Sequence, residues 1–205
     1  MKKTNETGKR TNRKGPSFNR LAQLLVVEDD PTFLKFFKIH LNRYFSKVHV
    51  VSNGKDAKKW LQDNKADLII TDLHMPKMNG FDLNKGVLTL FPNIPIIAIT
   101  GALLSPEEEA ILQTRFDGVL YKPFEFDKFD SVIQKSILLA NLYNSIAAEL
   151  KQEKLDTLEL WGKDSEGFPI RNPEQIAKDK YASLSKTIQD LLAQVAATRR
   201  FLSAA

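Results

Sequence analysis

Five polar residues stand at the ends of short apolar segments of this 205-residue chain. They are Glu28, Asp29, Asp72, Thr100 and Lys122. Three of them are carboxylates, and crowded carboxylates repel one another, so that they favour a hard divalent cation with oxygen ligands. A carboxylate beside such a cation can attack phosphorus and form an acyl phosphate. If the fold brings the five side chains together, they could carry phosphoryl transfer.

The role of each group in such a reaction follows from its chemistry. Mg²⁺ commonly binds one or two carboxylates and a phosphate while it keeps several waters. Asp72 stands alone after the apolar residues 68–71 and would be the nucleophile. Lys122 would neutralise charge on the transferring oxygens, and Thr100 could donate its hydroxyl to the new phosphoryl group. The alternative for Asp72 is an ordinary cap in a strand-to-helix loop.

Short apolar strands alternate with amphipathic helices between residues 23 and 139. The strands are predicted at 24–27, 48–51, 68–71, 94–100 and 118–121, and a helix follows each of them. Mostly apolar strands separated by helices are typical of a parallel sheet covered on both faces. The pattern therefore predicts an α/β fold with a doubly wound, five-stranded parallel sheet. Ligands of such sheets bind outside the carboxyl ends of the strands, where the five polar residues would meet.

Four segments carry a resemblance to a known family: "VVEDD", "ITDLHMPKMNG", "AITGA" and "YKPF", in this order and each at the end of a predicted strand. Residues 21–139 resemble the receiver domain of two-component response regulators, a CheY-like domain with a flavodoxin-like fold. The resemblance implies a phosphoprotein of a phosphorelay with Mg²⁺ as cofactor, and the expected location is cytoplasmic. It also implies a histidine kinase or a histidine phosphotransfer protein as phosphoryl donor.

The same resemblance implies a role for each site residue. Asp72 matches the phosphoacceptor, Thr100 the switch hydroxyl and Lys122 the phosphate-binding lysine. The implied metal ligands are Asp29 and Asp72 directly, Glu28 through water, and the backbone carbonyl of His74. Family members place a cis peptide bond before the proline that follows the lysine, here Pro123.

Two positions need a separate interpretation. Asp30 is a third acid beside Asp29, but it precedes Pro31 and is expected to cap a helix. Val119 stands three residues before Lys122, where the family usually has an aromatic residue that moves with the switch hydroxyl, and the aromatic Tyr121 lies next to the lysine instead. This departure concerns the aromatic-coupled switch and leaves the expected phosphorylation of Asp72 unchanged.

Charge and composition set further bounds. Residues 1–20 carry a net charge of +6, residues 21–139 carry −1, and residues 140–205 are neutral. The basic arm 1–20 has almost no apolar residues and is expected to be disordered. The sequence has no cysteine, which excludes disulfides and thiolate metal sites. It has no run of about 18 apolar residues, so no membrane insertion is expected.

Residues 140–205 are predicted to form a helical extension of the receiver. The fifth helix is expected to continue to about Trp161, a loop to span 162–172, and a second long helix to span 173–203. Apolar residues repeat along that helix at spacings of four and three, which is typical of a heptad seam. The two helices would form a hairpin within the chain or a coiled coil with a second copy, and the last turns of the second helix would reach the receiver.

Two outputs stay open. The neutral extension has no reactive His and no second acidic cluster, so we expect no enzymatic output and favour a protein partner or self-association through 140–205. The alternative is a DNA-binding transcription regulator that uses the basic arm or an unrecognised C-terminal fold.

Overall fold

The computed structural model of the chain describes residues 23–204. The basic arm 1–20 therefore lies outside the described residues. Five parallel strands form one sheet in the order β2-β1-β3-β4-β5. The strands are β1 (Gln23–Val27), β2 (Lys47–Val51), β3 (Leu68–Thr71), β4 (Ile96–Thr100) and β5 (Gly118–Tyr121). This is the predicted doubly wound α/β fold.

A helix follows every strand of the sheet. These helices are α1 (Pro31–Leu41), α2 (Gly54–Asp63), α3 (Gly80–Leu90), α4 (Pro106–Arg115) and α5 (Phe126–Gln152). Successive strand residues point to opposite faces. Leu24 and Val26 belong to one apolar cluster with residues of α1 and α5, whereas Leu25 and Val27 belong to a second cluster with residues of α2, α3 and α4. The continuous apolar strands are thus covered on both faces.

The fifth helix ends earlier than predicted, at Gln152 instead of about Trp161. Lys154 adopts a left-handed backbone conformation with φ 58°. The N–H of Leu155 then bonds to the carbonyl of Leu150, and that of Lys154 to Lys151. This pair of bonds closes a helix C-terminus, although glycine usually takes the left-handed position and lysine occupies it here. The short helix α6 (Thr157–Leu160) follows.

The predicted loop 162–172 contains a small hairpin of β6 (Gly162–Lys163) and β7 (Pro169–Ile170), which pair antiparallel. Asp164 organises its turn, because Oδ1 accepts hydrogen bonds from the N–H groups of Glu166 and Phe168, each at 2.9 Å. Its other oxygen accepts from Arg115 Nε of α4 at 2.5 Å. The hairpin is therefore attached to the receiver.

The predicted helix 173–203 is wrong as one continuous element. The structure has a 3₁₀ turn (Pro173–Gln175), α7 (Lys178–Ser183) and α8 (Lys186–Ser203). Leu184 adopts an extended conformation, and the Ser185 hydroxyl caps α8 by accepting from the Ile188 N–H. Asn172 caps as predicted, but only the 3₁₀ turn. The heptad pattern continues across this break, which is why the pattern did not reveal it.

Helix α8 packs against α5 and reaches β5. Near its end, the Phe201 ring lies 5.5 Å from Lys135 Nζ of α5. Leu202 lies over Gly118, the first residue of β5, where an added Cβ would be only 2.6 Å from Leu202 Cβ. The last turns of the chain's final helix thus contact the receiver, and the two helices pair within one chain.

Candidate functional site

Three carboxylates meet at the carboxyl edge of the sheet. Glu28, Asp29 and Asp72 each offer an oxygen, and these oxygens lie within 4.8 Å of one another. The Glu28 side chain is 2% exposed, and that of Asp72 is 13% exposed, whereas Asp29 is open to solvent. This oxygen-rich donor set fits Mg²⁺, which prefers carboxylates and water.

The register of β1 and β3 brings the acids together. Val27 pairs with Thr71, so that the residues that follow each strand leave the sheet side by side. The N–H of Asp72 donates to the Val27 carbonyl at 2.9 Å. Gly80 packs behind the loop that begins there, and a Cβ at this position would lie 2.2 Å from the Asp72 carbonyl oxygen. The turn after β3 therefore needs a glycine to close around Asp72.

Lys122 joins the acidic cluster from the end of β5. Its Nζ donates to Glu28 Oε2 at 2.6 Å and to Asp72 Oδ2 at 2.7 Å. Burial alone would lower the pKa of Lys122, but its hydrogen bonds to both carboxylates raise it, so the ammonium stays charged. Burial raises the pKa of Glu28, and the ammonium opposes that shift. The Lys122–Pro123 peptide bond is cis, as the resemblance implies.

Thr100 closes the pocket at the end of β4. The residue is fully buried, and its hydroxyl accepts a hydrogen bond from the Ala102 N–H at 3.2 Å. Its carbonyl accepts from the Lys122 N–H at 2.7 Å, which fixes the ends of β4 and β5 to each other. All four strand ends that the sequence singled out therefore meet at one edge.

The side chain of His74 points away from the acids, while its backbone stays beside them. The His74 N–H donates to Asp72 Oδ1 at 3.2 Å, whereas the ring Nε2 lies 2.9 Å from Glu108 Oε1 of α4. The Ser105 N–H lowers the pKa of Glu108, and His74 lowers it further. The ring thus links the loop after β3 to the first turn of α4.

Asp30 caps α1, as predicted. Its Oδ1 accepts from the N–H of Thr32 at 2.7 Å and from that of Phe33 at 3.4 Å. These backbone hydrogen bonds, that of Thr32 foremost, lower the pKa of Asp30. The two adjacent aspartates therefore serve different purposes: Asp29 faces the acidic cluster and Asp30 fixes the helix that follows.

Val119, at the position where the family usually has an aromatic residue, is part of the apolar core. Val119 is buried in the cluster beneath α2, α3 and α4. Tyr121 lies at the surface, and its hydroxyl donates to Glu109 Oε1 of α4 at 3.2 Å. Tyr121 pairs with Thr100 in the sheet, and its side chain is directed outward to α4.

Sequence reasoning missed Phe33 as a neighbour of the pocket. Lys122 Nζ lies over the Phe33 ring, 4.1 Å from its centroid, in a cation–π contact. The residue is third in α1, and its spacing with Leu34 and Phe37 indicated only a core position. An aromatic residue in the first turn after an acidic pair was the one available signal.

Fold and site together define an α/β domain with an acidic, lysine-bridged pocket at the carboxyl edge of its sheet. The family model described as the response regulator receiver domain matches residues 24–134. The chain therefore belongs to the response regulator receiver family, the domains through which phosphorylation controls signalling in two-component systems.

Individual relatives agree with this assignment. The chain is 36% identical over 106 residues to the heme response regulator HssR of Staphylococcus saprophyticus, covering 51% of this chain and 46% of that protein. It is 32% identical over 110 residues to transcription factor SKN7 of Saccharomyces cerevisiae, covering 54% of this chain and 18% of that protein. The chain thus spans less than half the length of either relative.

A solved structure supports the fold. The receiver domain of a sensor histidine kinase from Pseudomonas aeruginosa PAO1 is 25% identical, with a TM-score of 0.51, and covers 57% of this chain and 98% of that chain. That protein has a magnesium ion coordinated in its active site cleft. Within residues 23–204 of the present chain, none of the helices is both long and apolar enough to cross a membrane.

Proposed function

We propose that this protein is a response regulator that accepts a phosphoryl group on Asp72 in a Mg²⁺-dependent reaction. Asp29 and Asp72 would hold the ion directly, Glu28 through water, and His74 through its backbone carbonyl. The bound ion would offset the negative charge of the acids and of the incoming phosphoryl oxygens. A histidine kinase or a histidine phosphotransfer protein in the cytoplasm would be the donor.

In the transfer, an Asp72 carboxylate oxygen attacks the phosphorus of a phosphohistidine. A new O–P bond forms, the N–P bond breaks, and the imidazole leaves with the electron pair. Lys122 neutralises charge on the transferring oxygens from its position beside Asp72. The Thr100 hydroxyl then donates a hydrogen bond to a phosphoryl oxygen.

The observation that carries this proposal is the bridge by Lys122. One ammonium within 2.7 Å of both Glu28 and Asp72 places a positive charge at the end of the sheet where phosphoryl oxygens would arrive. A loop cap needs no such partner. If Asp72 only capped a turn, the proximity of Glu28 and Asp29 to it would have no explanation.

Labelling with a small acyl phosphate tests the acceptor. In the presence of Mg²⁺, the intact mass of the wild type should increase by one phosphoryl group, and Asp72→Asn should gain none. Asp30→Asn is the matched control and should be labelled like the wild type, because Asp30 only caps α1. Labelling retained in Asp72→Asn would refute the assignment.

We include in the proposal that phosphorylation changes the interactions of the helical extension. The support is a buried ion-pair hub on Asp117, the residue before β5. The Asp117 carboxylate is fully buried and accepts hydrogen bonds from three side chains of residues 140–205. These are Arg171 Nη2 at 2.5 Å, the Tyr143 hydroxyl at 2.6 Å, and Arg199 Nη1.

This hub is connected to the acidic pocket by β4 and β5. Asp117 Oδ2 accepts from the Ile96 N–H at 2.8 Å at the start of β4, and the Asp117 N–H donates to the Ile96 carbonyl at 2.9 Å. β4 ends on Thr100, about 13 Å from Ile96, and Lys122 follows β5, about 17 Å from Asp117, at the usual rise per residue. A shift of the strand ends upon phosphorylation would therefore move Asp117 and change its contacts with Arg171 and Arg199.

Hydrogen exchange of residues 195–203 tests the coupling. Samples of the wild type and Asp72→Asn are compared with and without acyl phosphate. Exchange should change only in the phosphorylated wild type, by no more than the difference in docking free energy between the two states allows. Equal protection in all four samples would exclude the coupling.

DNA binding is the second candidate, because one relative is a transcription factor. Its site would be the arm 1–20, since Arg171 and Arg199 of the extension are buried in ion pairs. Such binding should weaken steeply with salt and be lost when residues 1–20 are deleted. Binding that survives this deletion would point to the extension instead.

A further inference from the structure

Phe33 contacts Lys122, the cation that bridges two carboxylates of the acidic pocket. A lysine ammonium has three N–H donors. Those of Lys122 have Glu28 Oε2 and Asp72 Oδ2 as partners, and the Phe33 ring faces Nζ at 4.1 Å from its centroid. An ammonium is attracted to the negative face of an aromatic ring at such distances.

The position of this ring is fixed from two directions. Asp30 Oδ1 accepts from the Phe33 N–H, so the acid beside the metal-binding Asp29 sets the first turn of α1. On its other side, the ring lies 6.1 Å from the Phe37 ring and 6.4 Å from the ring of Phe124, two residues after Lys122. The ring is therefore held by neighbours on both elements that it joins.

A fixed ring matters because a lysine side chain is long and flexible. Four methylene groups carry the Lys122 ammonium, and ordering them costs rotamer entropy each time a charge must be placed. The Phe33 ring blocks movement of the ammonium toward α1, so that the ammonium stays between Glu28 and Asp72. The ammonium is thus held in place before a phosphoryl group arrives, which is how positioning lowers a barrier.

We infer that Phe33 is a positioning residue, which holds the Lys122 ammonium toward Asp72 and thereby speeds phosphorylation. The inference rests on the proposed function of Asp72 and Lys122. Phe33 itself touches no reacting atom, and it acts only through Lys122. Phe36, one turn of α1 away from the pocket, is its matched control, because Phe36 packs on Phe37, Phe124 and Phe129 in the same aromatic cluster.

A spectroscopic experiment tests the contact without any phosphorylation. Methylene protons that lie over an aromatic face are shifted upfield by the ring current. In NMR spectra of the full chain, the ε-methylene protons of Lys122 should be shifted upfield in the wild type, in Phe33→Tyr and in Phe36→Leu. The shift should disappear in Phe33→Leu. An unshifted signal in the wild type would overturn the inference, even if Phe33→Leu did not fold.

The rate of labelling by acyl phosphate tests the consequence. Phe33→Leu should be labelled about threefold to tenfold more slowly than the wild type, the range that the loss of one such contact gives. Its Mg²⁺ affinity should stay within about twofold, and Phe33→Tyr should restore the rate. Equal rates in Phe33→Leu and Phe36→Leu would overturn the inference, since general packing would then account for the effect.

If the wild type itself is not labelled, the proposed function fails and this inference fails with it. If the wild type is labelled and the rate of Phe33→Leu is unaffected, only the inference is rejected.

Discussion

Arg199 and Asp117 lie 82 residues apart in the chain and form an ion pair that is closed to solvent. The same guanidinium also donates to the Phe116 carbonyl at 2.9 Å. One side chain of the last helix thus bonds both the backbone and the carboxylate that precede β5. This contact attaches the last helix of the extension directly to the residues that precede β5.

Removing either partner should destabilise the protein. Asp117→Asn leaves Arg171 and Arg199 buried without a counter-charge and should lower the free energy of unfolding by about 3–5 kcal/mol. Arg199→Met should cost about 3 kcal/mol, because Arg171 still pairs with Asp117. Urea unfolding measures both.

The adjacent Arg200 is the control. Its side chain is 67% exposed and pairs with Glu174, so Arg200→Met should cost less than about 1 kcal/mol. Equal losses for Arg199→Met and Arg200→Met would contradict the hub.

The predicted division into a receiver, 21–139, and an extension, 140–205, can be tested by truncation. A chain that ends at Leu139 would lose Tyr143, Arg171 and Arg199, and Asp117 would keep none of these three partners. We expect it to melt well below the full chain. Full-chain Arg199→Met is the comparison, and it should fall between the two. A truncated receiver that melts like the full chain would show that 21–139 is an independent unit.

Magnesium binding should separate the two adjacent aspartates. Asp29→Asn removes a carboxylate of the acidic cluster and should weaken Mg²⁺ binding at least tenfold, whereas Asp30→Asn keeps a good helix cap and should bind within about twofold of the wild type. Calorimetric titration measures both affinities. Chelation of Mg²⁺ should also abolish labelling by acyl phosphate. Equal weakening by the two substitutions would remove the distinction.

The hairpin of β6 and β7 should make stability depend on pH through Asp164. Burial alone would raise the pKa of Asp164, but hydrogen bonds from the Phe168 N–H and from Arg115 lower it below its usual value. The folded pKa is then below the unfolded value of about 3.9, so the carboxylate stabilises the fold above that value and loses its effect as pH falls further.

The difference in unfolding free energy between the wild type and Asp164→Asn should therefore be constant near neutral pH and shrink below about pH 4. Urea unfolding at several pH values measures it. The exposed Asp179 of α7 provides the control, since Asp179→Asn should change the free energy of unfolding by less than about 1 kcal/mol. A difference for Asp164→Asn that does not change with pH would contradict this assignment.

The pocket was predictable because its residues obey a topological rule. Parallel strands end at one edge, so polar residues after each strand must meet there, and Glu28, Asp72 and Lys122 do. The rule depends only on the order of elements, which the hydrophobic pattern predicts well. Asp30 was equally accessible, because a following proline is a local signal for a helix start.

The extension was less predictable, because its structure depends on long-range partners. The heptad spacing continues through Leu184, where the chain is extended and Ser185 starts a new helix. Arg171 and Arg199 look like surface residues in the sequence, since arginine is seldom buried unless paired. Their partner Asp117 lies 54 and 82 residues away, and no local pattern connects such positions.

Gly118 is the point at which the final helix and the sheet must match in shape. A methyl group there would also lie 3.3 Å from Ile97 Cδ1 and 3.3 Å from the Leu202 carbonyl oxygen, so the last turn of α8 would have to move. With alanine or a larger residue at position 118, the last turn of α8 could approach β5 only after a shift of Leu202. A glycine directly after a buried Asp117 is therefore a residue pattern by which chains with the same packing of a final helix on β5 can be sought.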